Sequence, residues 1–189
     1  MIKIENLFKK YGENIIFENS SFHFEDNILT AIMGKSGIGK TTLLRIIMNL
    51  EKCDKGNIAG LENKKIAAVF QEDRLCENLS SIKNISIVCE KNITEKEIKK
   101  ELNNIGLSGS ENKIVKNLSG GMKRRVAIVR SILAKSDIIL LDEPFKGLDA
   151  KTKCNTINYL KNKLKNKTAI IVTHDINEAL DLGCKIINI

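Results

Sequence analysis

Eight consecutive residues combine glycines, a lysine and a hydroxyl side chain in an arrangement suited to phosphate binding: Gly34-Lys35-Ser36-Gly37-Ile38-Gly39-Lys40-Thr41. The run fits the pattern G-x-x-x-x-G-K-[ST], in which glycines let the main chain turn and bring its N–H groups close to a phosphate. Lys40 can reach the terminal phosphates of a bound group, and the hydroxyl of Thr41 can bind Mg²⁺. Thr42 completes this set of candidate binding residues. The alternative is an ordinary glycine-rich turn between a strand and a helix.

Two acidic residues follow a second apolar run. Ile138-Ile139-Leu140-Leu141 predicts a buried strand, and Asp142 and Glu143 come directly after it. Ligands of open α/β sheets bind outside the carboxyl ends of the strands, so these carboxylates are expected to meet the phosphate-binding run. Asp142 can hold Mg²⁺ through water, and Glu143 can orient or deprotonate an attacking water. A helix cap ahead of Pro144 is the alternative.

A histidine stands in the same position relative to a third apolar run. His174 follows Ala169-Ile170-Ile171-Val172-Thr173, so it lies at the carboxyl end of another predicted strand. A lone histidine can be purely structural, but three strand ends that converge on one site favour a chemical role. We therefore expect His174 to contact the terminal phosphate or the attacking water.

A second glycine-containing run, Leu118-Ser119-Gly120-Gly121-Met122-Lys123-Arg124-Arg125, begins a predicted helix over residues 119–134. Ser119 can cap this helix, and the pair Gly120-Gly121 leaves N–H groups exposed at its start. By itself, the run describes an anion-binding site that has no evident strand beside it.

The elements that must position these residues alternate between strands and helices. Alternating apolar residues near the N-terminus, Ile2 with Ile4 and Phe22 with Phe24, predict half-buried strands in an antiparallel flank. Continuous apolar runs predict the buried strands of a parallel sheet; they span residues 28–33, 65–70, 137–141 and 169–173, with a last strand at 184–189. The predicted helices span residues 41–50, 94–106, 119–134 and 175–182, and a further helix is capped by Asp149.

These elements predict an α/β fold with a mostly parallel sheet and an N-terminal antiparallel β flank. The capping box of Thr94 and Glu97 fixes one helix start, and Gly106 suits the end of that helix. Segment 75–117 is more helical and more polar than its surroundings, so we expect a small helical lobe there. We expect residues 1–189 to form a single domain.

Composition excludes several classes of protein. With 42% hydrophobic and 29% charged residues, the 189-residue chain can form a core, which excludes wholesale disorder. No apolar run approaches the ~20 residues of a membrane span, and the N-terminus lacks a signal-peptide core. The net charge of +8 comes mostly from scattered lysines, so we expect no nucleic-acid partner. The five cysteines contain no CxxC pair, which predicts free, mostly packed thiols in a reducing cytosol and no zinc site.

The phosphate-binding run, the Ser119 run and Asp142-Glu143-Pro144 stand in the order found in ATP-binding cassette (ABC) ATPases, and the chain resembles that family over nearly its whole length. The resemblance implies a P-loop NTPase core that binds ATP and Mg²⁺ and hydrolyses ATP. Tyr11 resembles the aromatic residue that stacks on adenine, although an edge-strand tyrosine is the alternative. Gln71 resembles the glutamine that touches Mg²⁺ and relays to a membrane partner.

In this family two copies enclose two ATP molecules, so the resemblance implies a homodimer or a heterodimer of such ATPases. The P-loop of one copy faces Ser119 and Gly121 of the other, which supplies a ligand for the otherwise isolated anion site. Gly147-Leu148-Asp149 resembles the loop that crosses between the copies, and His174 resembles the switch histidine. The fifth position of the signature is Met122 where many members have glutamine.

The resemblance further implies the energy-coupling subunit of a membrane transporter, cytoplasmic and peripheral on the inner face of the cell membrane. Its partners would be transmembrane permease subunits and a substrate-binding protein. Residues 70–75 are similar to those of nitrate, sulfonate and taurine importers, although Cys76-Glu77-Asn78 departs from them. We expect a short permease helix to bind near Gln71, with Asp73 and Arg74 exposed for that contact.

Two other functions are compatible with the same phosphate-binding run. A nucleic-acid-linked ABC-type ATPase is the main alternative, but the long coiled coils and second cassette of such proteins are missing. An ordinary P-loop kinase has no use for the Ser119 helix. We also expect no regulatory domain, because the chain ends soon after His174.

Overall fold

A computed structural model describes residues 1–189, which form two β-sheets and six α-helices. The strands are β1 (Ile2–Tyr11), β2 (Asn14–Phe24), β3 (Leu29–Met33), β4 (Lys55–Ala59), β5 (Ile66–Val69), β6 (Ile138–Asp142), β7 (Thr168–Val172) and β8 (Lys185–Asn188). The α-helices are α1 (Lys40–Ile47), α2 (Ser81–Ser86), α3 (Glu95–Asn104), α4 (Gly120–Leu133), α5 (Ala150–Lys163) and α6 (Ile176–Leu182).

The smaller sheet is antiparallel and has the order β2-β1-β4. Ile2 and Ile4 pair with Phe24 and Phe22, and all four side chains are buried, which confirms the predicted N-terminal flank. Strand β4 was not predicted, because its first three residues, at positions 55–57, are exposed and show no apolar alternation.

The larger sheet is parallel throughout and has the order β5-β6-β7-β3-β8. Every residue of β6 and β7 is buried, as expected for central strands covered on both faces. In β6, Ile138 and Leu140 pack toward α1 and the antiparallel sheet, while Ile139 and Leu141 pack toward the core that contains α4. The predicted α/β fold with a mostly parallel sheet is therefore confirmed.

The helix starts distinguish α1 from the other helices. Five α-helices begin with a side chain that accepts a hydrogen bond from the first turn; these capping residues are Ser80, Thr94, Ser119, Asp149 and Asp175. The predicted capping box of Thr94 and Glu97 is among them. The residue before helix α1 is instead Gly39, which has no side chain to cap the helix.

Segment 75–117 contains α2, α3 and a short 3-10 turn at Val115–Asn117. Helix α2 has only six residues, which is too short for an apolar periodicity to reveal it in the sequence. None of the helices combines the length and apolarity that crossing a bilayer requires. All five cysteines are free, but none is fully buried, and Cys76 and Cys154 are exposed. Cys53, Cys89 and Cys184 are partly buried and pack against the two cores, as expected for mostly packed thiols.

Candidate functional site

The phosphate-binding run connects the carboxyl end of β3 to the first turn of α1. Gly37 and Gly39 have φ of 79° and 112°, a left-handed conformation that favours glycine. A Cβ at Gly39 would collide with Ile16 and Phe17 of β2, so the antiparallel sheet packs directly on the loop. Because α1 has no side-chain cap, its first N–H groups are available to an external acceptor. This arrangement fits a bound phosphate.

Lys40 lies across the loop with only 7% of its surface exposed. Its Nζ donates hydrogen bonds of 2.8 Å to the carbonyl oxygens of Gly34 and Lys35. The start of the loop also packs closely against Ile189, since a Cβ at Gly34 would lie 2.6 Å from the Ile189 carbonyl oxygen. The loop therefore keeps one positive charge close to its own backbone, while the side chain of Ser36 remains exposed.

Thr41 and Asp142 meet where α1 passes the end of β6. The hydroxyl of Thr41 donates a hydrogen bond of 2.8 Å to Oδ2 of Asp142, which is 5% exposed. Burial raises the pKa of the Asp142 carboxyl, and the bond from Thr41 acts in the opposite direction. Hydroxyl and carboxylate oxygens are ligands that Mg²⁺ prefers, so this pair fits the cation that accompanies a nucleotide triphosphate.

Glu143 has an unusual backbone conformation that points its side chain toward His174. Its φ is 46°, and its N–H donates to the carbonyl oxygen of Val172 at the end of β7. Oε1 of Glu143 lies 3.8 Å from Nδ1 of His174, and Oε2 lies 3.4 Å from Nζ of Lys146. The His174 side chain is 71% exposed, so it is free to meet a ligand at this edge of the sheet.

A cavity of about 220 Å³ lies between these elements. It is lined by Ile16, Ser36, Gly37, Gly39, Lys40, Thr41, Thr42, Gln71, Glu143 and Val172. The structure thus brings together the phosphate-binding run, one acidic residue from the end of β6 and the predicted Gln71. Tyr11 does not line this cavity: it is exposed at the end of β1, with Nζ of Lys9 4.9 Å from its ring centre.

The Ser119 run forms a separate surface, which we call the signature tip and define as Ser119, Gly120 and Gly121. The hydroxyl of Ser119 accepts a 3.3 Å hydrogen bond from the N–H of Met122, so it caps α4 as predicted. A Cβ at Gly120 would meet no atom within 4 Å. A Cβ at Gly121 would lie 3.1 Å from Cδ2 of Leu148, which places the loop before α5 beside the signature tip.

Asp149 follows that loop and caps α5. Its Oδ1 accepts a hydrogen bond of 3.0 Å from the N–H of Thr152. Hydrogen bonds from Thr152 hold the pKa of the Asp149 carboxyl below its usual range. Neither Asp149 nor the signature tip lines the phosphate cavity.

The residues after Gln71 correct one expectation. Arg74 is exposed, and its guanidinium lies 3.9 Å from the ring centre of Phe70. Asp73 is only partly exposed, and its Oδ1 lies 3.2 Å from Nε of Arg124. Burial raises the pKa of the Asp73 carboxyl despite this neighbour. The contact was not predictable, because the position of an arginine on a helix does not indicate which distant group its side chain reaches.

Comparison with known proteins agrees with this geometry. The profile of the ABC transporter family matches residues 17–146. A sulfate/thiosulfate import ATP-binding protein of Mannheimia succiniciproducens is 35% identical over 98% of this chain and 58% of its own length. An aliphatic sulfonates import ATP-binding protein of Paraburkholderia xenovorans is 33% identical over 98% of this chain and 75% of its own length. This chain therefore spans little more than half the length of the first of these relatives.

A solved structure gives the same result. The dimeric structure of a bacterial ABC transporter cassette matches with a TM-score of 0.86 and 30% sequence identity, over 100% of this chain and 94% of that chain. A structure of a post-hydrolysis state of the same cassette, bound to ADP and Pi, matches equally well. From its motifs, its fold and these relatives, we conclude that the chain belongs to the ABC transporter family.

Proposed function

We propose that the chain is the ATP-hydrolysing subunit of an ABC transporter, in which ATP binding and hydrolysis by a dimer drive transport through membrane permease subunits. One observation carries the proposal: the phosphate cavity and the signature tip lie apart in one chain, and each has groups for phosphate binding that the other lacks. The cavity contains Lys40 and Glu143, whereas the tip offers only exposed N–H groups and a hydroxyl. A second copy can bring a tip onto a cavity.

The residues of the cavity can each perform one step of phosphate chemistry. The N–H groups at the start of α1 and Nζ of Lys40 bind the phosphates, and Lys40 exchanges the Gly34 and Lys35 carbonyls for phosphate oxygens. Thr41, Asp142 and Gln71 would hold Mg²⁺, which when bound neutralises charge that develops on the phosphates.

Glu143 and His174 act on the water molecule that attacks the terminal phosphate. The Glu143 carboxylate accepts a proton from the attacking water, and its left-handed backbone aims it into the cavity. His174 lies close enough to Glu143 to orient the same water or to contact the terminal phosphate. Tyr11 would stack on the adenine base with the ring face that Lys9 leaves free.

In the proposed dimer, the signature tip of one copy completes the cavity of the other. N–H groups at the start of α4 and the Ser119 hydroxyl would bind the terminal phosphate across the interface. Asp149 would lie at this interface, because Leu148 packs beside Gly121 within the chain. The bacterial cassette that matches this chain is a dimer, which supports two copies as the working state.

A groove beside Gln71 suits the permease partner. Its floor includes the apolar side chains of Leu44, Met48 and Leu50, and Arg45 and Arg74 also line it. A short amphipathic helix can bury its apolar face in such a groove. Gln71 lines both this groove and the phosphate cavity, so it can link the two. With a permease helix in this groove, the chain would lie on the inner face of the cell membrane, and the relatives named for import favour a substrate-binding protein as a further partner.

A mixing experiment tests the two-copy site. The Lys40→Ala variant damages only the cavity, and the Ser119→Asp variant damages only the tip, since aspartate still caps a helix but adds negative charge. Each variant alone is expected to hydrolyse ATP very slowly. A mixture forms dimers with one undamaged composite site, so we expect turnover at least ~10-fold above either variant alone. Full activity of the Ser119→Asp variant, or no recovery on mixing, would contradict the composite site.

Coupling to a membrane partner needs a second test. We expect the chain to co-purify with a permease encoded next to it, and ATP hydrolysis by that complex in vesicles to accompany substrate uptake. Duplex DNA serves as the comparison ligand. Salt-sensitive DNA binding that stimulates ATP hydrolysis, without any permease complex, would favour the nucleic-acid-linked alternative instead.

A further inference from the structure

Two arginines of α4 bind the segment that carries Gln71, which we define as residues 70–74 and call the Gln71 segment. The guanidinium of Arg124 donates through Nη1 to the Phe70 carbonyl oxygen and through Nη2 to that of Gln71. Arg130, further along the same helix, donates to the carbonyl oxygens of Arg74 at 2.9 Å and of Asp73 at 3.2 Å. Four of the five carbonyls in this segment thus accept hydrogen bonds from two side chains.

The segment has little else to hold it. Residues 71–74 lie outside the helices and strands, and they neither donate nor accept a backbone–backbone hydrogen bond. Arg74 has a φ of 45°, which is unfavourable for a residue with a side chain. When a segment makes no backbone–backbone hydrogen bonds, its position depends on the hydrogen bonds that its carbonyl groups accept from side chains.

Arg124 is especially well placed to fix this segment. It is 6% exposed, and its Nε lies 3.2 Å from Oδ1 of Asp73, an oxygen buried without a hydrogen bond. The planar guanidinium can bond two carbonyls at once while it neutralises the carboxylate. A lysine presents a single point charge and cannot reproduce all three contacts.

We infer that Arg124 and Arg130 are positioning residues that hold the Gln71 segment against α4, and that Arg124 thereby sets where the Gln71 side chain sits in the phosphate cavity. The inference rests on the proposed function for the role of Gln71. The helix that carries both arginines begins at the signature tip, so the same helix contacts the Gln71 segment further along its length.

A double-mutant cycle in the full chain tests the effect on Gln71. Outer partners of a metal ligand typically matter ~10–100-fold, so we expect Arg124→Met to lower turnover at least ~10-fold and to raise the Mg²⁺ concentration needed for half-maximal rate. In a Gln71→Ala background, the same substitution should change either quantity less than ~2-fold, because Arg124 acts through Gln71. Arg124→Lys should resemble Arg124→Met. Independent, multiplying losses in the double variant would overturn the inference.

Arg125→Met is the matched control for these variants. Arg125 neighbours Arg124 on α4, but its guanidinium bonds the carbonyl oxygens of Ile105, Gly106 and Gly121 and leaves the Gln71 segment untouched. We expect it to leave the Mg²⁺ dependence unchanged. An equal shift in the Mg²⁺ dependence of both variants would mean that any damage to α4 has this effect, which counts against the inference.

A second measurement does not depend on catalysis. An arginine-specific protease cleaves after accessible arginines and leaves the many lysines intact, and the bond after Arg74 lies at the end of the Gln71 segment. We expect fragment 1–74 to appear several times faster from Arg124→Met and Arg130→Met than from the unmodified chain or Arg125→Met, at temperatures where all remain folded. Equal cleavage rates would refute the positioning role. If the unmodified chain hydrolyses no ATP, the proposed function fails, and the cleavage rates alone decide the role of the arginines.

Discussion

The phosphate cavity and the signature tip each begin a helix with glycine, yet they are built in opposite ways. At the cavity, α1 starts without a side-chain cap and is enclosed by β2 and by the ends of β6 and β7. At the tip, Ser119 caps α4, and Ser119 and Gly120 are exposed. The N–H groups at the start of α1 therefore have no acceptor within the chain, whereas the signature tip has no neighbouring elements that enclose it.

The cavity and the signature tip also differ in the functional groups that they contain. The cavity contains the cation Lys40, the hydroxyl of Thr41 and the acid Glu143. Two further groups contact these lining residues from outside the cavity: Asp142 accepts a hydrogen bond from Thr41, and His174 lies beside Glu143. The tip has no titratable side chain. A site with donors alone can recognise an anion but cannot move a proton. Under the proposed function, one chain carries the reactive half and the recognising half at separate places, and four substitutions test this division.

The largest effect is expected from Glu143→Gln in the reactive half. Glutamine keeps the size of the side chain but cannot accept a proton, so turnover should fall ~10²–10⁴-fold. ATP affinity should persist, and an ATP-bound dimer should accumulate, because binding uses other residues. Phosphate release and light scattering with ATP measure both results. Glu62→Gln, an exposed acid away from the cavity, serves as the control. Unchanged hydrolysis by Glu143→Gln would remove the proposed general base.

The next effect is expected from Lys40→Ala, which removes the cation of the cavity. Hydrogen bonds to charged groups contribute about 1.5–3 kcal/mol, so ATP affinity should fall ~10–100-fold. Calorimetric titration with ATP measures the loss, and Lys3→Ala on the exposed side of β1 should bind normally. Tight binding by the Lys40→Ala variant would show that the loop does not hold the phosphates as described.

Gly120→Asp separates recognition from folding at the tip. No atom lies within 4 Å of a Cβ at Gly120, so the side chain fits the single chain. An acidic residue in the first turn of a helix stabilises it by ~0.5 kcal/mol, and the melting temperature should not fall. The added charge repels a phosphate across a dimer, so we expect turnover to drop ~10-fold while ATP binding by the single chain persists. If Gly120→Asp turned over ATP normally and formed a normal ATP-bound dimer, the signature tip would not bind a phosphate.

The smallest effect is expected from Thr94→Ala, which removes a cap of the same chemistry as Ser119 from a helix outside the site. Loss of the capping box should reduce the free energy of unfolding by ~1 kcal/mol. Turnover of the folded chain should not change. Urea unfolding and phosphate release measure the two quantities. A large loss of turnover in Thr94→Ala would mean that losing any helix cap lowers activity, so an effect of substituting Ser119 could not be assigned to phosphate binding.

Local signals predicted much of the fold. The continuous apolar runs at 137–141 and 169–173 became buried central strands, because apolar side chains on both faces need cover from both sides. Thr94, Ser119 and Asp149 cap helices as expected, since a cap depends on residues three positions apart. Strand β4 escaped notice because its pairing with β1, and not its own residues, makes it a strand.

In the candidate site, too, local sequence determined some features and tertiary packing determined others. Residue types and short spacings in the sequence determined the glycine loop, the acidic pair after β6 and the histidine after β7, because each depends only on neighbours along the chain. Only the tertiary structure decided the left-handed backbone of Glu143, the contact of Asp73 with Arg124 and the two arginines that bind the Gln71 segment. These features depend on groups far apart in sequence, such as Arg124 and Phe70, 54 residues apart, and packing alone brings such groups within bonding distance.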